Sequence, residues 1–272
     1  MSTQKAKTAA FLTLHKPGEP FIIPNPWDEG SARVLAGLGF SALATTSSGF
    51  AWTLGRRDYG VTRVEALRHA TALAASVDIP VSADLENGFG DAPDEVAQTI
   101  EWAAKSALCG GSIEDTTGNP DSPIYTLTDT VERIEAAVKE ARKSEDGFIL
   151  TARADGLLHG VTDLNNIIER LQAFDAAGAD VLFAPGLPDL DAVHKICGAV
   201  SKPVNVLVLG NLVQHSQSDF AAAGAARLSV GGRLATNAYA SLSETTGMLK
   251  DGKFGILKPT DKAKMVSGFL RD

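Results

Sequence analysis

Asp84 and Glu86 stand two residues apart where the apolar run Val81-Ser-Ala ends. In an extended segment side chains alternate with a period of two, so both carboxylates are expected on one side. Joined by Glu114, at the end of Gly111-Ser-Ile-Glu114, they form an oxygen-rich set suited to Mg²⁺ or Mn²⁺. Such ions keep several waters and leave positions for substrate oxygens. The alternative is a salt-bridge network among the same residues. Arg153 follows Phe148-Ile-Leu-Thr-Ala152, a setting in which an uncompensated guanidinium is costly. It is either a fork for a ligand carboxylate or phosphate, or the partner of Glu114 or Asp115. Ser47-Ser48-Gly49 offers hydroxyls and backbone N–H groups at a turn, which suits an anion nest but is also common turn composition. Asp155 and Asn205 belong to the same group of polar residues near the ends of apolar runs. Asp58, in Gly55-Arg-Arg-Asp58-Tyr-Gly60, reads by itself as solvated or as paired with Arg56 or Arg57. Asp28 reads as a helix N-cap. The five His are scattered, so zinc is not indicated, and His159 reads as a loop residue of no special role.

The elements that must position these groups are legible in a recurring junction. Leu35-Ala-Gly-Leu-Gly39, Phe174-Asp-Ala-Ala-Gly178 and Phe220-Ala-Ala-Ala-Gly224 each end a small-residue helix at a Gly, and an apolar run follows. Gly supplies the left-handed conformation that closes a helix, and the run begins a buried strand. Cys109-Gly110-Gly111 reads as a variant. Strands are predicted over 21–24, 42–46, 81–84, 112–114, 149–153, 181–184, 204–208 and 227–230. Helical spacing lies between them, as in Val96, Ile100, Ala103 and Ala107, in Leu127, Val131, Ile134 and Val138, and in Leu164, Ile167, Leu171 and Phe174. Pro93-Asp94-Glu95 has the composition of a first helical turn. Short apolar strands alternating with amphipathic helices predict a parallel sheet, and eight such units predict a single (β/α)₈ TIM-type barrel domain over the chain, with a helical tail. An open doubly wound sheet would want a Gly-x-Gly-x-x-Gly turn after the first strand, and Pro24-Asn-Pro-Trp-Asp-Glu-Gly30 is not one. In a barrel the C-terminal strand ends carry the chemistry, and that is where these acids and Arg153 are placed.

The composition excludes several other functions. The net charge is −8, with 25 Lys+Arg against 33 Asp+Glu, so phosphate-backbone binding and a nucleic-acid partner are not expected. There are only three Trp and three Tyr to stack on bases. No apolar run is long enough to cross a membrane, and the first residues lack a signal-peptide core. Cys109 and Cys197 are too few for a disulfide framework. The expectation is a soluble cytoplasmic protein.

From about residue 21 to residue 239 the chain resembles the isocitrate lyase/phosphoenolpyruvate mutase superfamily. The matching segments are Pro24-Asn-Pro-Trp-Asp-Glu-Gly-Ser-Ala-Arg33, Ala44-Thr-Thr-Ser-Ser-Gly49, Ala83-Asp-Leu-Glu-Asn-Gly-Phe-Gly90, Gly111-Ser-Ile-Glu-Asp115, Thr151-Ala-Arg-Ala-Asp155 and Ala226-Arg-Leu-Ser-Val-Gly-Gly232. The resemblance implies a (β/α)₈ barrel that binds Mg²⁺ and a small 2-oxo acid. It implies that Asp84 coordinates the metal, with Glu86 and Glu114 acting directly or through waters. Ser48 and Gly49, beside Ser47, would hold the substrate carboxylate through backbone N–H groups, and Arg153 would bind the anionic end. Asp58 matches a loop Asp near the metal waters and the reacting carbon.

The chemistry so implied is an enolate, its oxyanion stabilised by Mg²⁺ as a Lewis acid, from which a C–C or a P–C bond is broken. Two departures matter. Glu86 stands where many relatives have Asp. The loop after Glu114-Asp115 reads Thr-Thr-Gly-Asn119-Pro-Asp-Ser122-Pro-Ile-Tyr125, without the Cys-bearing motif of the isocitrate and methylisocitrate lyases. The expectation is therefore a lyase acting on a C–C bond of a small 2-oxo or 2-hydroxy dicarboxylate. The alternatives are a phosphonopyruvate-type mutase or hydrolase, in which Asn119 or Ser122 stands for a lid Asn, and a barrel that binds a 2-oxo acid without turnover. The resemblance also implies a homotetramer that exchanges its last barrel helix. The tail over 248–272, with Phe254, Ile256, Leu257, Met265 and Phe269, would support the exchange or pack on its own subunit.

Overall fold

Eight parallel strands, each followed by helix, build this chain, and the computed structural model describes residues 3–270. The strands are β1 (Phe21–Ile23), β2 (Leu43–Ala44), β3 (Val81–Asp84), β4 (Gly110–Glu114), β5 (Ile149–Arg153), β6 (Val181–Phe183), β7 (Val204–Leu207) and β8 (Arg227–Ser229). Around them run α1 (Gln4–Leu14), α2 (Glu29–Gly37), α3 (Ser47–Thr53), α4 (Arg63–Ser76), α5 (Pro93–Ala104), α6 (Leu127–Ala141), α7 (Leu164–Ala176), α8 (Leu190–Ala199), α9 (Gln217–Ala222), α10 (Arg233–Lys250) and α11 (Asp261–Ser267). The pairing order β1-β8-β7-β6-β5-β4-β3-β2 is that of a (β/α)₈ barrel, open only between β1 and β2. The Ala44 N–H donates to the Pro24 carbonyl across that seam (3.2 Å), and the Asn25 amide donates to the carbonyls of Ala44 (3.1 Å) and Thr45 (3.2 Å). Asn25 Oδ1 also accepts from the N–H groups of Val230 and Gly231 (both 2.9 Å), so one side chain ties the ends of β1, β2 and β8 together.

The predicted strands are all present. The helix-ending glycines Gly39, Gly178 and Gly224 take positive φ as the junction pattern requires. Gly110 and Gly111 do not belong to that pattern: β4 starts at Gly110, two residues earlier than expected. They are glycines because of close approach, since a Cβ on Gly110 would lie 2.4 Å from the Ile149 carbonyl oxygen. Asp28 caps α2 in a reciprocal capping box with Ser31, as expected. The main hydrophobic core lies between strands and helices, with Ile100, Ile134, Leu171 and Phe174 fully buried on the inner helix faces. Among the described residues no helix is long and apolar enough to cross a membrane.

Beyond α10 the tail folds back over α2. Phe269 lies on Gly37, where a Cβ would come within 2.2 Å of its ring, and Val266 and Leu270 line an apolar hollow with Val34, Leu35 and Leu234. Phe254 and Leu257 remain exposed. The last two tail residues lie outside the described residues.

Candidate active site

Inside the barrel the period-two alternation points Ser82 and Asp84, Ser112 and Glu114, Thr151 and Arg153, Asn205 and Leu207, and Arg227 and Ser229 towards the axis. A TIM barrel usually fills its axis with branched apolar side chains. Here a polar cavity of about 210 Å³ opens towards the C-terminal strand ends and is lined by Asn25, Ser48, Asp58, Asp84, Arg153 and Arg227, among others.

At the rim Arg153 is held by three carboxylates. Its Nε and Nη2 donate to the two oxygens of Asp155 (3.1 and 2.6 Å), Nη2 also pairs with Glu114 (2.9 Å), and Nη1 reaches Asp84 (3.2 Å). The guanidinium also lies 5.1 Å from the centre of the Phe183 ring. Burial opposes its charge, but Asp155, Glu114 and Asp84 outweigh burial and hold its pKa well above the ordinary value. The two alternatives for Arg153 thus divide: Glu114 is a partner, and so are Asp84 and Asp155. Asp115 is not, because it pairs with the buried Arg170 of α7 (3.1 Å) and accepts the Asp155 N–H (2.7 Å).

Asp84 is oriented from three sides. Its N–H donates to Thr45 Oγ1 (2.8 Å), while its Oδ2 accepts the Ser47 N–H (3.1 Å) and its Oδ1 meets Arg153. Glu86 departs from the expected extended geometry. Its φ is +49°, in the left-handed region, so the chain turns after Asp84 and the two carboxylates do not project in register. Glu86 is buried, and its Oε1 has no hydrogen-bond partner. Burial, with the charges of Asp84, Glu114 and Asp58, pushes its pKa up to about 9. A void of about 10 Å³ touches both Asp84 and Glu86, roughly the room one water needs. Burial likewise raises Glu114, more than Arg153 lowers it. Its Oε1 accepts from Thr116 Oγ1 (2.6 Å) and the Tyr59 hydroxyl (2.7 Å).

Asp58 is neither paired with Arg56 nor remote from the site. Arg56 pairs with Glu65 (3.0 Å), while Asp58 lines the cavity and bonds the Ser47 side chain. It keeps a solvent-exposed face, yet desolvation by the surrounding atoms and the charge of Asp84 raise its carboxyl above the usual range. The segment Ser47-Ser48-Gly49 is the first turn of α3, capped by Thr46, rather than an irregular turn. The Gly49 N–H donates to Thr46 Oγ1 (3.3 Å) and the Ser47 N–H to Asp84, which leaves the Ser48 N–H at the cavity wall. Gly49 itself is a packing residue, since a Cβ there would sit 2.6 Å from Thr46 Cγ2. Asn205 lies deep in the barrel, bonded to Arg227 and Ser229. His159 lies outside the cavity, and Cys109, buried against α1, enters its strand at the opposite end of the barrel.

Among the described residues no three His, Cys, Asp or Glu side chains converge as a ready-made metal cage. The donors nevertheless suit a hard dication that keeps its waters: all are carboxylates, they outnumber the cations beside them, and one buried oxygen has no partner. Sequence reasoning missed Thr45, Tyr59 and Asn25, which position the acids and close the seam. It also passed over Arg227, although that residue showed the same anomaly as Arg153, an Arg among apolar neighbours.

Barrel and rim together define an enzyme class: a (β/α)₈ protein whose strand ends gather carboxylates and one arginine beside a helix N-terminus and an interior polar cavity. A family model described as phosphoenolpyruvate phosphomutase matches residues 11–250. The chain belongs to the isocitrate lyase/phosphoenolpyruvate mutase superfamily and is an enzyme of the lyase and mutase type. A Burkholderia cenocepacia protein, described only broadly as a lyase or mutase, has a crystal structure that superposes with a TM-score of 0.92 at 47% identity, covering 98% of this chain and 96% of that one. An uncharacterized protein of Mycobacterium tuberculosis is 32% identical over 82% of this chain and 81% of its own length. The 2-methylisocitrate lyase of Escherichia coli is 28% identical over 71% of this chain and 70% of its own length.

Proposed function

We propose that this chain is a Mg²⁺-dependent lyase that breaks a C–C bond of a small 2-oxo or 2-hydroxy dicarboxylate through an enolate. The observation that carries this reading is the buried, partnerless Glu86 oxygen, which shares a small void with Asp84, while Asp84 itself lines the polar cavity. Asp84 would hold the ion, with Glu86 and Glu114 binding it directly or through waters, and Mn²⁺ would serve as well. When bound, the ion supplies Lewis-acid stabilisation for oxyanion charge.

The remaining work falls to the chain itself. The Ser48 N–H, at the positive end of α3, receives the substrate carboxylate. Arg153 holds Asp84, Glu114 and Asp155 in place through its ion pairs. Asp58, with its carboxyl raised by its surroundings and facing the cavity, returns a proton to the enolate carbon. The loop over 116–125 supplies no thiol, which argues against the acid step of the isocitrate and methylisocitrate lyases.

A substrate panel tests the proposal. Oxaloacetate and methylmalates should release pyruvate only with Mg²⁺ or Mn²⁺, and Asp84→Ala should abolish both turnover and metal binding by calorimetry. Phosphate release from phosphonopyruvate would select P–C chemistry instead, and ligand-induced stabilisation without product would select binding alone.

A further inference from the structure

Arg227 opens β8 and lines the same cavity that the acids overlook from the rim. It is 5% exposed. Its Nε donates to Asn205 Oδ1 (2.9 Å), Nη1 to His15 Nε2 (3.2 Å) and Nη2 to Thr151 Oγ1 (3.2 Å). All three acceptors are neutral. His15 bonds the Phe11 carbonyl through Nδ1 (2.9 Å), which leaves Nε2 as an acceptor, and burial with the neighbouring Arg227 charge drives the His15 pKa down to about 3. Among the described residues no carboxylate pairs with Arg227, and burial alone lowers its pKa to about 9. Near the strand ends, Arg153 and the buried Arg170 each have acids in contact, while the buried Arg133 donates to the backbone carbonyls of Asn87, Gly90 and Asp91 and lies over the Tyr125 ring. A guanidinium taken out of water without a counter-charge is the costly case that folded proteins ordinarily avoid.

The bonding pattern shows what is missing. A guanidinium carries five N–H groups in a planar fork, and three are used, so each terminal nitrogen of Arg227 keeps one. Two N–H groups on adjacent terminal nitrogens match the two oxygens of a carboxylate. Beside them, Ser229 Oγ accepts from Asn205 Nδ2 (2.9 Å), and its own proton remains available. Arg153 cannot easily take the same role, because three carboxylates already compensate its charge. The cavity, at about 210 Å³, is also below the roughly 300–1,000 Å³ of pockets for drug-sized ligands, so a short diacid suits it.

We infer that Arg227, with Ser229 beside it, is the recognition site for the second carboxylate of a dianionic substrate whose 2-oxo acid end lies at the rim. The inference rests on the 2-oxo acid reading above and names the class of substrate within it: four- or five-carbon diacids, bound lengthwise down the barrel axis.

The test compares oxaloacetate, a dianion, with pyruvate, which has the same 2-oxo acid end but no second charge. Binding to the full chain is measured by calorimetry with Mg²⁺ at low temperature, so that turnover is slow. The parent protein should bind oxaloacetate at least tenfold tighter than pyruvate. Arg227→Met should erase that preference by weakening oxaloacetate tenfold or more, leave pyruvate within about twofold, and keep or raise the melting temperature of the ligand-free protein. Arg227→Lys should restore part of the preference. If the parent binds both ligands equally, or if Arg227→Met weakens both alike, the inference falls and Arg227 is a brace of the barrel floor. Should Arg227→Met fail to fold, the preference of the parent and its partial retention in Arg227→Lys decide the matter. A parent protein that binds neither ligand would overturn the 2-oxo acid reading itself, a result distinct from loss of the preference alone.

Discussion

Replacing Arg153 with alanine removes the cation that three carboxylates share. Glu114 and Asp155 have side chains only 2% and 1% exposed, so neither can turn to water when the guanidinium leaves. Breaking a buried ion pair from one side costs about 3–5 kcal/mol. For a chain of this size about 2–4 °C of melting temperature goes with each kcal/mol, so the midpoint should fall by about 6–20 °C near neutral pH. The loss should also depend on pH. Burial already raises Glu114 and Asp155 above their ordinary values of 4.5 and 3.8, and Arg153 is the main influence pulling them down. Without it they rise further. An acid raised in the folded state binds its proton more tightly there than in the unfolded chain, so stability falls as pH climbs past the unfolded value. The deficit of Arg153→Ala should therefore be largest at pH 8 and smaller at pH 5. Thermal unfolding followed by circular dichroism, with a chelator present to exclude metal compensation, measures both effects. A fall of under about 2 °C, or an equal fall at both pH values, would show that the carboxylates are hydrated rather than braced.

Glu86, raised to about 9 from 4.5, costs the metal-free protein stability as pH climbs between those values, and Glu86→Gln should flatten that slope in thermal melts. Because a metal-binding carboxylate must lose its proton, Mg²⁺ or Mn²⁺ affinity in the parent should rise from pH 6.5 to 8.5; calorimetry showing no change would remove Glu86 from the metal site. The tail should support a homotetramer, read by light scattering at micromolar concentration, and a chain ending at Lys250 should lose it. A monomeric parent protein would rule the tetramer out and leave the tail's packing on α2 of its own chain as its role.

Much of the architecture was legible because it is written in local pattern. The eight strands follow from apolar runs, and the helices from periodic faces and caps such as Pro93 and Asp28. Gly39, Gly178 and Gly224 mark helix ends because only a left-handed residue closes those turns without strain. The position of Asp84, Glu114 and Arg153 on one rim follows from a parallel topology, since every parallel strand ends on the same side. The identity of the acids was thus a property of sequence.

Which groups pair with which was a property of the closed barrel. Asp84 and Glu86 appear aligned when read as an extended segment, yet the left-handed φ at Glu86 separates them, and no local pattern reports a backbone turn at a glutamate. Asp58, read by its neighbours alone, is solvated or paired with Arg56 or Arg57; it does keep an exposed face, but the fold sends Arg56 to Glu65 and brings Asp58 to Ser47 and the cavity. Arg153 and Arg227 have similar apolar neighbours in sequence. One meets three acids and the other neutral oxygens and a nitrogen, because strand register around the barrel sets which residues share a layer. Charge compensation depends on distances across the axis, and those are fixed only when the strands close into a ring.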